Sequence, residues 1–316
     1  MKQIALVVSA MVLGLAFGHF TGGLKFSSAV CLAAGLFLVV PSLFKFQLAD
    51  IAIVKNHLPS VFKNLIINYL LLTAAALAIG YLSQDVGIAA ALFLLALLPG
   101  GGMVMMWIKQ SGAHVKLGFI LFMLNLALLL PATIIFGEFQ TFTAGWFPAP
   151  DLSNVGDIST GREIKPFAPF MILIVIPFLV SRIALKFFPG LIKWTGEHQQ
   201  LISKATMFGI VFYLFSLTTS QLLFQVSLTS LLKALVATAA FYVVAVALAS
   251  IFTKNTDTGK AVYWHIVTRY ITLALILAVF SIDKLGASFI LPIMIAYFIQ
   301  IGSAGFLSER QKGHQS

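Results

Sequence analysis

Charged side chains are scarce in this sequence of 316 residues: Asp, Glu, Lys and Arg make up 9% of it, against about 25% in a typical soluble domain. Hydrophobic residues make up 60%, and the mean hydropathy is +1.01. Apolar runs of about 20 residues recur along the chain, and that length crosses a bilayer as a helix. The scarcity of charge therefore excludes a soluble protein and indicates an all-α membrane protein with many spans.

Cysteine and carboxylate are also rare. The single cysteine, Cys31, excludes an internal disulfide and a cysteine-rich metal site. Each of the ten carboxylates falls in a loop or near the end of an apolar run, so we expect none inside the membrane to bind Na⁺ or carry a proton. Paired catalytic carboxylates, a His-rich metal motif and a serine elbow are missing as well. We therefore expect no enzyme, no metal and no cofactor.

Ten apolar segments predict ten membrane spans. Their approximate limits are 3–20, 27–46, 61–82, 87–108, 116–137, 167–187, 204–224, 230–252, 259–281 and 286–307. We interpret the first as a span, with a signal peptide as the alternative. A long polar connection divides the chain into five spans plus five. Because an odd number of spans inverts the second half, we expect two inverted repeats, 1–138 and 166–316, joined by an extracytoplasmic loop, 139–165.

The basic residues support this count. If the N-terminus and every second loop share one side, that side holds fourteen of the twenty Lys and Arg residues, and the other side holds five. Cytoplasmic loops carry such an excess. The pattern therefore predicts a protein of the cytoplasmic (inner) membrane with both termini in the cytoplasm. It also explains the net charge of +10 without a nucleic-acid partner.

Span 4 contains a sequence that should break a helix. In LLPGGGMVMMWIK, Pro99 is followed by Gly100, Gly101 and Gly102 near the middle of the span. Irregular backbone persists in a bilayer only where protein or a water-filled cavity satisfies its polar groups. Transporters place such breaks at binding sites, with the N-terminus of a half-helix directed at an anion. The alternative is close helix packing through small residues.

Span 9 contains Arg269, the one arginine or lysine deep within a predicted span. Its insertion costs at least roughly 2.5–3.5 kcal/mol, so such a residue usually faces a cavity or a partner. His265 lies one turn earlier on the same face, and Thr268 directly precedes the arginine. Because no buried carboxylate is available, we predict that Arg269 binds an anion. The alternatives are snorkelling for Arg269 and a purely structural role for His265.

Two asparagines lie near the middle of other spans. Asn68 in span 3 and Asn125 in span 5 are candidates to hydrogen-bond the substrate or the freed backbone, and bonding between helices is an equal alternative. The predicted substrate site thus consists of Asn68, Pro99, Gly100, Gly101, Gly102, Asn125, His265, Thr268 and Arg269.

The stretch LLPGGGMVMMWIKQSGAHVKLGF resembles the fourth-span signature of the bile acid:sodium symporter and arsenite efflux permease superfamily. Pro99-Gly100-Gly101 is similar to the symporters, and Met103-Val104 with Trp107 is similar to the permeases. The resemblance implies a core domain of spans 3–5 and 8–10 and a panel domain of spans 1, 2, 6 and 7. It also implies that spans 4 and 9 cross at broken centres, although the stretch of span 9 from Ala261 to Phe280 contains no glycine or proline, and that transport proceeds by alternating access.

The sequence departs from both branches at their functional positions. The permeases place a cysteine where this chain has Gly100, so thiol-dependent arsenite transport loses its soft ligand. The symporters place sodium ligands where this chain has Val104-Met105 in span 4 and His265 and Arg269 in span 9. We therefore expect the sodium sites to be lost. Transport would then be sodium-independent, coupled to protons through His265, or facilitative.

These observations lead us to expect a secondary transporter of a small organic anion, a carboxylate, whose partners are that anion and the lipid bilayer. Two alternatives stay open. One is efflux of arsenite or antimonite. The other, of a different class, is a membrane sensor or scaffold that has a transporter fold and does not transport.

Overall fold

A computed structural model describes residues 2–27, 29–30, 53–101, 103–150 and 175–312, together with the single positions 33, 37, 40, 44, 152 and 171. Most of predicted span 2, the first part of span 6, Cys31 and Gly102 lie outside the described residues. Over the described residues the chain is helical and forms no β-strand beyond two isolated bridges.

The described residues form a series of helices along the chain. In order they are α1 (Lys2–Thr21), α2 (Ile53–Asn56), α3 (Leu58–Leu65), a π-helical segment (Ile66–Leu71), α4 (Leu72–Ser83), α5 (Val86–Leu97), α6 (Val104–Gln110), α7 (Val115–Ala127), α8 (Leu129–Gly137), α9 (Phe139–Phe142), α10 (Ile176–Phe187), α11 (Pro189–Glu197), α12 (Gln199–Ser216), α13 (Thr218–Gln221), α14 (Leu228–Phe252), α15 (Asp257–Val267), α16 (Ile271–Leu285) and α17 (Ile290–Lys312). Two 3₁₀ turns, Leu222–Phe224 and Ala287–Phe289, precede α14 and α17.

Several helical segments are long and apolar enough to cross a membrane. The five that meet this description are Ile4–Thr21, Leu58–Ser83, Val115–Gly137, Leu228–Phe252 and Ala287–Ala304. They fall on predicted spans 1, 3, 5, 8 and 10. Two shorter apolar helices, Val86–Leu97 and Lys204–Ser216, fall within predicted spans 4 and 7. The protein is therefore a helical membrane protein.

The chain divides into two compact units. The first comprises Met1–Ala49 and Ile164–Gln221, which include predicted spans 1, 2, 6 and 7. In this unit α1 packs along α12, and Gly14 allows the close approach, since a Cβ atom there would lie 2.5 Å from the carbonyl oxygen of Phe212. Past the end of α1, the backbone of Leu24 makes two hydrogen bonds of 2.8 and 3.0 Å to the break between α12 and α13.

The second unit comprises Asp50–Glu163 and Leu222–Ser316, which include predicted spans 3–5 and 8–10. Helix α5 forms its core, because every residue of α5 is buried. A helix that is apolar on all sides is one that protein encloses. Helix α4 packs against it where Gly80 meets Ala89, and a Cβ atom on Gly80 would lie 2.6 Å from the Cα atom of Ala89. This unit contains all the described residues of the predicted site.

Candidate anion site at two interrupted helices

Two helices of the second unit are interrupted, and the interruptions pair with each other. The first separates α5 from α6, and the second separates α15 from α16. Pro99 and Arg269 form an antiparallel bridge. The amide of Gly100 donates to the carbonyl of Thr268 at 2.9 Å, and the amide of Tyr270 donates to the carbonyl oxygen two residues before Gly100 at 2.8 Å. Each break therefore satisfies backbone groups that the other has freed.

The break predicted from Pro99 and the glycines is confirmed, and a second break is present in span 9, where the sequence carries no helix-breaking residue. Gly100 has a φ of +70°, and a Cβ atom there would lie 2.8 Å from Nδ1 of His265. A Cβ atom on Gly101 would lie 2.8 Å from the carbonyl oxygen of Arg269. Glycine is therefore needed at both positions, for the left-handed conformation of Gly100 and for close approach.

Arg269 lies beside the two breaks, and its side chain is enclosed by protein at 1% exposure. Its Nη2 donates to Oδ1 of Asn68 at 2.7 Å and to the carbonyl oxygen of Ile266, and its Nη1 donates to the carbonyl oxygen of Ala96 at 3.3 Å. Its Nε is buried and has no hydrogen-bond partner. The side chain thus stays inside the protein, and the alternative that Arg269 snorkels to the membrane interface is wrong.

The charge of Arg269 is balanced by dipoles. Ala96 and Ile266 lie in the last turns of α5 and α15, where the unpaired carbonyls carry partial negative charge. In the part of the chain that the structure describes, no carboxylate pairs with the guanidinium. Arg269 therefore joins the C-terminal ends of two helices while one of its N–H groups remains without an acceptor.

A row of buried polar side chains connects His265 with Asn68. The Nε2 atom of His265 lies 2.9 Å from the carbonyl oxygen of Gly118, and its Nδ1 lies 3.2 Å from Nδ2 of Asn125. Asn64 donates to Oδ1 of Asn125 at 3.2 Å, and Asn68 donates to Oδ1 of Asn64 at 2.9 Å. Since Asn68 accepts from the guanidinium, the row extends from the imidazole to Arg269.

Asn68 lies in the π-helical segment between α3 and α4. Its side chain donates to the backbone oxygen of Asn64 at 2.9 Å, in addition to the side-chain bond, and its own carbonyl accepts from the hydroxyl of Thr73 at 3.2 Å. Short π segments are frequent at functional sites because they disturb the regular ladder of helical hydrogen bonds. Here the segment carries the residue that contacts Arg269.

The structure uses Thr268 differently from the prediction. Its hydroxyl donates to the carbonyl of Trp264 at 2.5 Å, within its own helix, and its backbone oxygen accepts from Gly100. Thr268 thus contributes its backbone to the paired breaks, while its hydroxyl bonds within its own helix.

Sequence reasoning missed two residues of this cluster, Asn64 and Gln300. Oε1 of Gln300 accepts from the backbone amide of Arg269 at 2.5 Å and from the hydroxyl of Tyr242 at 3.1 Å, and its Nε2 lies 3.3 Å from the carbonyl of Arg269. Gln300 therefore holds the backbone of the break in place. The available signal was an uncharged polar residue inside an apolar run, since both residues are buried in membrane-length helices.

Helix α6, which follows the glycines, has fewer free backbone amides for an anion than we expected. Helix α6 has seven residues, and two amides near its start are already used: Val104 donates to Gly101 at 2.9 Å, and Met106 donates to Met103 at 3.0 Å. The guanidinium of Arg269 is therefore the main positive group beside the breaks. Gly102 lies outside the described residues.

No protein-family model matches this chain, and no curated protein matches it. Among the described residues, no group of three or more His, Cys, Asp or Glu side chains is placed to hold a metal ion.

Proposed function

We propose that the protein is a secondary transporter that carries a small carboxylate across the cytoplasmic membrane by alternating access. The observation that carries this proposal is Arg269, which is 1% exposed, lies beside two paired helix breaks and keeps a buried Nε without an acceptor. An ionisable group inside a membrane protein is costly and usually marks a path for substrate or ions. A bound anion would provide the missing acceptor and neutralise the charge.

The shape of the guanidinium favours a carboxylate. Arginine offers parallel N–H groups that match the two oxygens of a carboxylate, and such pairs are stronger than neutral hydrogen bonds. One edge of Arg269 consists of Nε, which is unused, and Nη2, which donates to Asn68 and to Ile266. A carboxylate on this edge must displace one acceptor of Nη2. We propose that it displaces Asn68, because a side chain can rotate away and a helix carbonyl is held in place.

The two helix ends explain how the site persists without an anion. Each helix C-terminus carries the equivalent of roughly half an elementary negative charge. The ends of α5 and α15 thus offset the charge of Arg269 in the empty protein. A carrier that returns without substrate has to keep its site folded and nearly neutral, and this arrangement supports that requirement.

The two compact units support an alternating-access mechanism. We propose that the ten predicted spans form two inverted five-span repeats, and that spans 3–5 and 8–10 form the substrate-binding body. The second unit contains all of these spans, and the first unit contains predicted spans 1, 2, 6 and 7. Alternating access by relative motion of two bodies needs such a division of the chain.

The same site argues against sodium coupling. We propose, from the resemblance to the symporters, that His265 and Arg269 stand where those proteins hold sodium ligands, and the guanidinium would repel Na⁺ there. We therefore propose transport that does not depend on sodium.

A ligand panel tests this function. The purified protein would be heated with acetate, pyruvate, succinate or benzoate, each as the sodium and the potassium salt at equal ionic strength, with chloride as the control anion. We expect at least one carboxylate to raise the Tm in a saturable way, equally with both cations. At 100 times its Kd, such a ligand stabilises the folded state by about 2.7 kcal/mol.

Two results of the panel would contradict parts of the proposal. Stabilisation that needs Na⁺ would show an intact sodium site and would refute sodium independence. A Tm that responds to no carboxylate, in either salt, would refute the assignment of Arg269 to a carboxylate substrate.

A further inference from the structure

The hydrogen bonds between His265 and Arg269 all have the same direction. Asn125 presents its amide nitrogen, a donor, to Nδ1 of His265 at 3.2 Å. That ring nitrogen therefore carries no proton, and Nε2 carries the proton that is donated to the carbonyl of Gly118. In the structure the imidazole is thus neutral and has a defined tautomer.

The asparagines continue this direction. Asn64 donates to Asn125, Asn68 donates to Asn64, and Arg269 donates to Asn68. A guanidinium has donors and no acceptor, so Arg269 fixes the orientation of all three amides. We call Asn125, Asn64 and Asn68 the amide row.

A proton on Nδ1 of His265 conflicts with this orientation, because it turns an acceptor into a donor that faces another donor. Asn125 then has to rotate and present its oxygen to the ring. The same exchange passes to Asn64 and Asn68 in turn. At the end of the amide row, Asn68 presents its nitrogen to Arg269, which has no lone pair to accept it, and their hydrogen bond is lost. All of these side chains are buried, so an unmatched donor pair within the row is costly.

We propose that His265 is the binding site for a proton that the protein takes up together with the carboxylate, and that the amide row couples this proton to Arg269. The inference rests on the proposed function. The proton adds to the lone pair of Nδ1 and no covalent bond breaks, while Nε2–H continues to donate to Gly118. The carboxylate then accepts two hydrogen bonds from Arg269, one from the Nη2–H that had donated to Asn68 and one from the Nε–H that has no partner. One positive and one negative charge enter, so the loaded site gains no net charge.

Electrostatics act in the same direction as the amide row. The helices packed against α15 carry several ionisable groups: Lys63 on α3, Lys109 on α6, Lys116 on α7, Lys233 and Tyr242 on α14, and Asp257, Lys260 and Tyr263 on α15 itself. The imidazole contacts uncharged partners, and the cation that the amide row joins to it is the guanidinium of Arg269. This positive charge opposes protonation of His265, and a bound carboxylate removes the opposition. Carboxylate and proton thus favour each other, and the coupling is reciprocal.

The test compares benzoate binding at pH 8 and at pH 5.5. Benzoate is chosen because it is mostly ionised over this range of about 2.5 pH units. We expect the affinity of the purified protein for benzoate to rise at least about tenfold from pH 8 to pH 5.5, because the protonated form binds the anion more tightly. In weakly buffered solution, benzoate should cause uptake of up to one proton per binding site, read with a pH indicator.

A variant of the middle amide separates this coupling from a structural role. Asn64→Leu changes a side chain that contacts neither the imidazole nor the guanidinium. In the variant, Asn68 can still donate to the backbone oxygen of residue 64 and accept from Arg269. We expect the pH dependence of benzoate affinity in Asn64→Leu to fall well below that of the wild type, because only the direct electrostatic interaction between Arg269 and His265 remains. The matched control is Asn255→Leu at an exposed loop position, which should keep the pH dependence of the wild type.

The outcomes distinguish the coupling from the proposed function. Benzoate binding that is independent of pH and takes up no proton overturns the coupling and leaves the carboxylate site standing. Full pH dependence in Asn64→Leu overturns the role of the amide row. Absence of binding by any carboxylate at every pH overturns the proposed function and this inference together. If Asn64→Leu does not fold, proton uptake by the wild type decides.

Discussion

Arg269→Lys is expected to weaken benzoate binding at least about 100-fold, a loss of about 2.7 kcal/mol. Lysine keeps the positive charge and loses the planar edge formed by Nε and Nη2, so the loss measures the two parallel hydrogen bonds. Arg269→Ala should remove binding entirely. The benzoate affinity of each variant would be measured by calorimetric titration of the detergent-purified protein.

Folding has to be controlled, because Arg269 also donates to the carbonyls of Ala96 and Ile266. Arg269→Ala is expected to lower the Tm, since two helix ends lose a donor, whereas lysine can still reach one of them. Arg182→Lys on α10 makes the same substitution in the other compact unit and should leave benzoate affinity unchanged. A folded Arg269→Lys protein with the affinity of the wild type would refute the role of the guanidinium.

Gly100→Ala is expected to abolish transport. A Cβ atom at this position would lie 2.8 Å from Nδ1 of His265, so the imidazole has to move, and it would also contact Nδ2 of Asn125 at 3.4 Å. The backbone φ of +70° adds a conformational cost of about 1–2 kcal/mol for alanine. The effect would be measured as uptake into proteoliposomes of a labelled, membrane-impermeant carboxylate that raised the Tm, alongside the Tm itself.

The chain contains a matched control for this substitution. Gly145 has a φ of +79°, and nothing lies within 4 Å of a Cβ atom built there. Gly145→Ala therefore carries the backbone strain without the collision, and we expect it to lower stability slightly and to retain uptake. Equal activity of the Gly100→Ala and Gly145→Ala proteins would show that the contact between Gly100 and His265 is not needed.

Local sequence signals predicted one of the two helix breaks, and the resemblance implied the other. Pro99 and its glycines act locally, through a missing amide and a left-handed backbone. The break from Thr268 to Tyr270 has no such signal, because ordinary residues form it. It exists because its backbone groups bond to Leu98 and Gly100 of the other break, and such pairing depends on the tertiary fold. Ten spans and inverted repeats stay predictions, based on span count and charge.

Composition identified most of the candidate site. Arg269, His265 and Asn125 stand out because polar side chains are rare in apolar runs, and the structure brings them together. Asn64 was missed because it is only the fourth residue of predicted span 3, where a polar side chain is unremarkable, whereas the helix begins at Leu58 and carries Asn64 into the buried interior. The order of contacts along the amide row depends on distances between helices, which no local pattern encodes.

The central claim is that this protein moves a carboxylate across a membrane through a site built on Arg269. Counterflow tests it most directly: proteoliposomes are loaded with an unlabelled carboxylate that raised the Tm, and labelled carboxylate is added outside. We predict transient accumulation of label by the wild type and none by Arg269→Lys. Binding without any accumulation by the wild type would contradict transport and would favour a membrane sensor or scaffold.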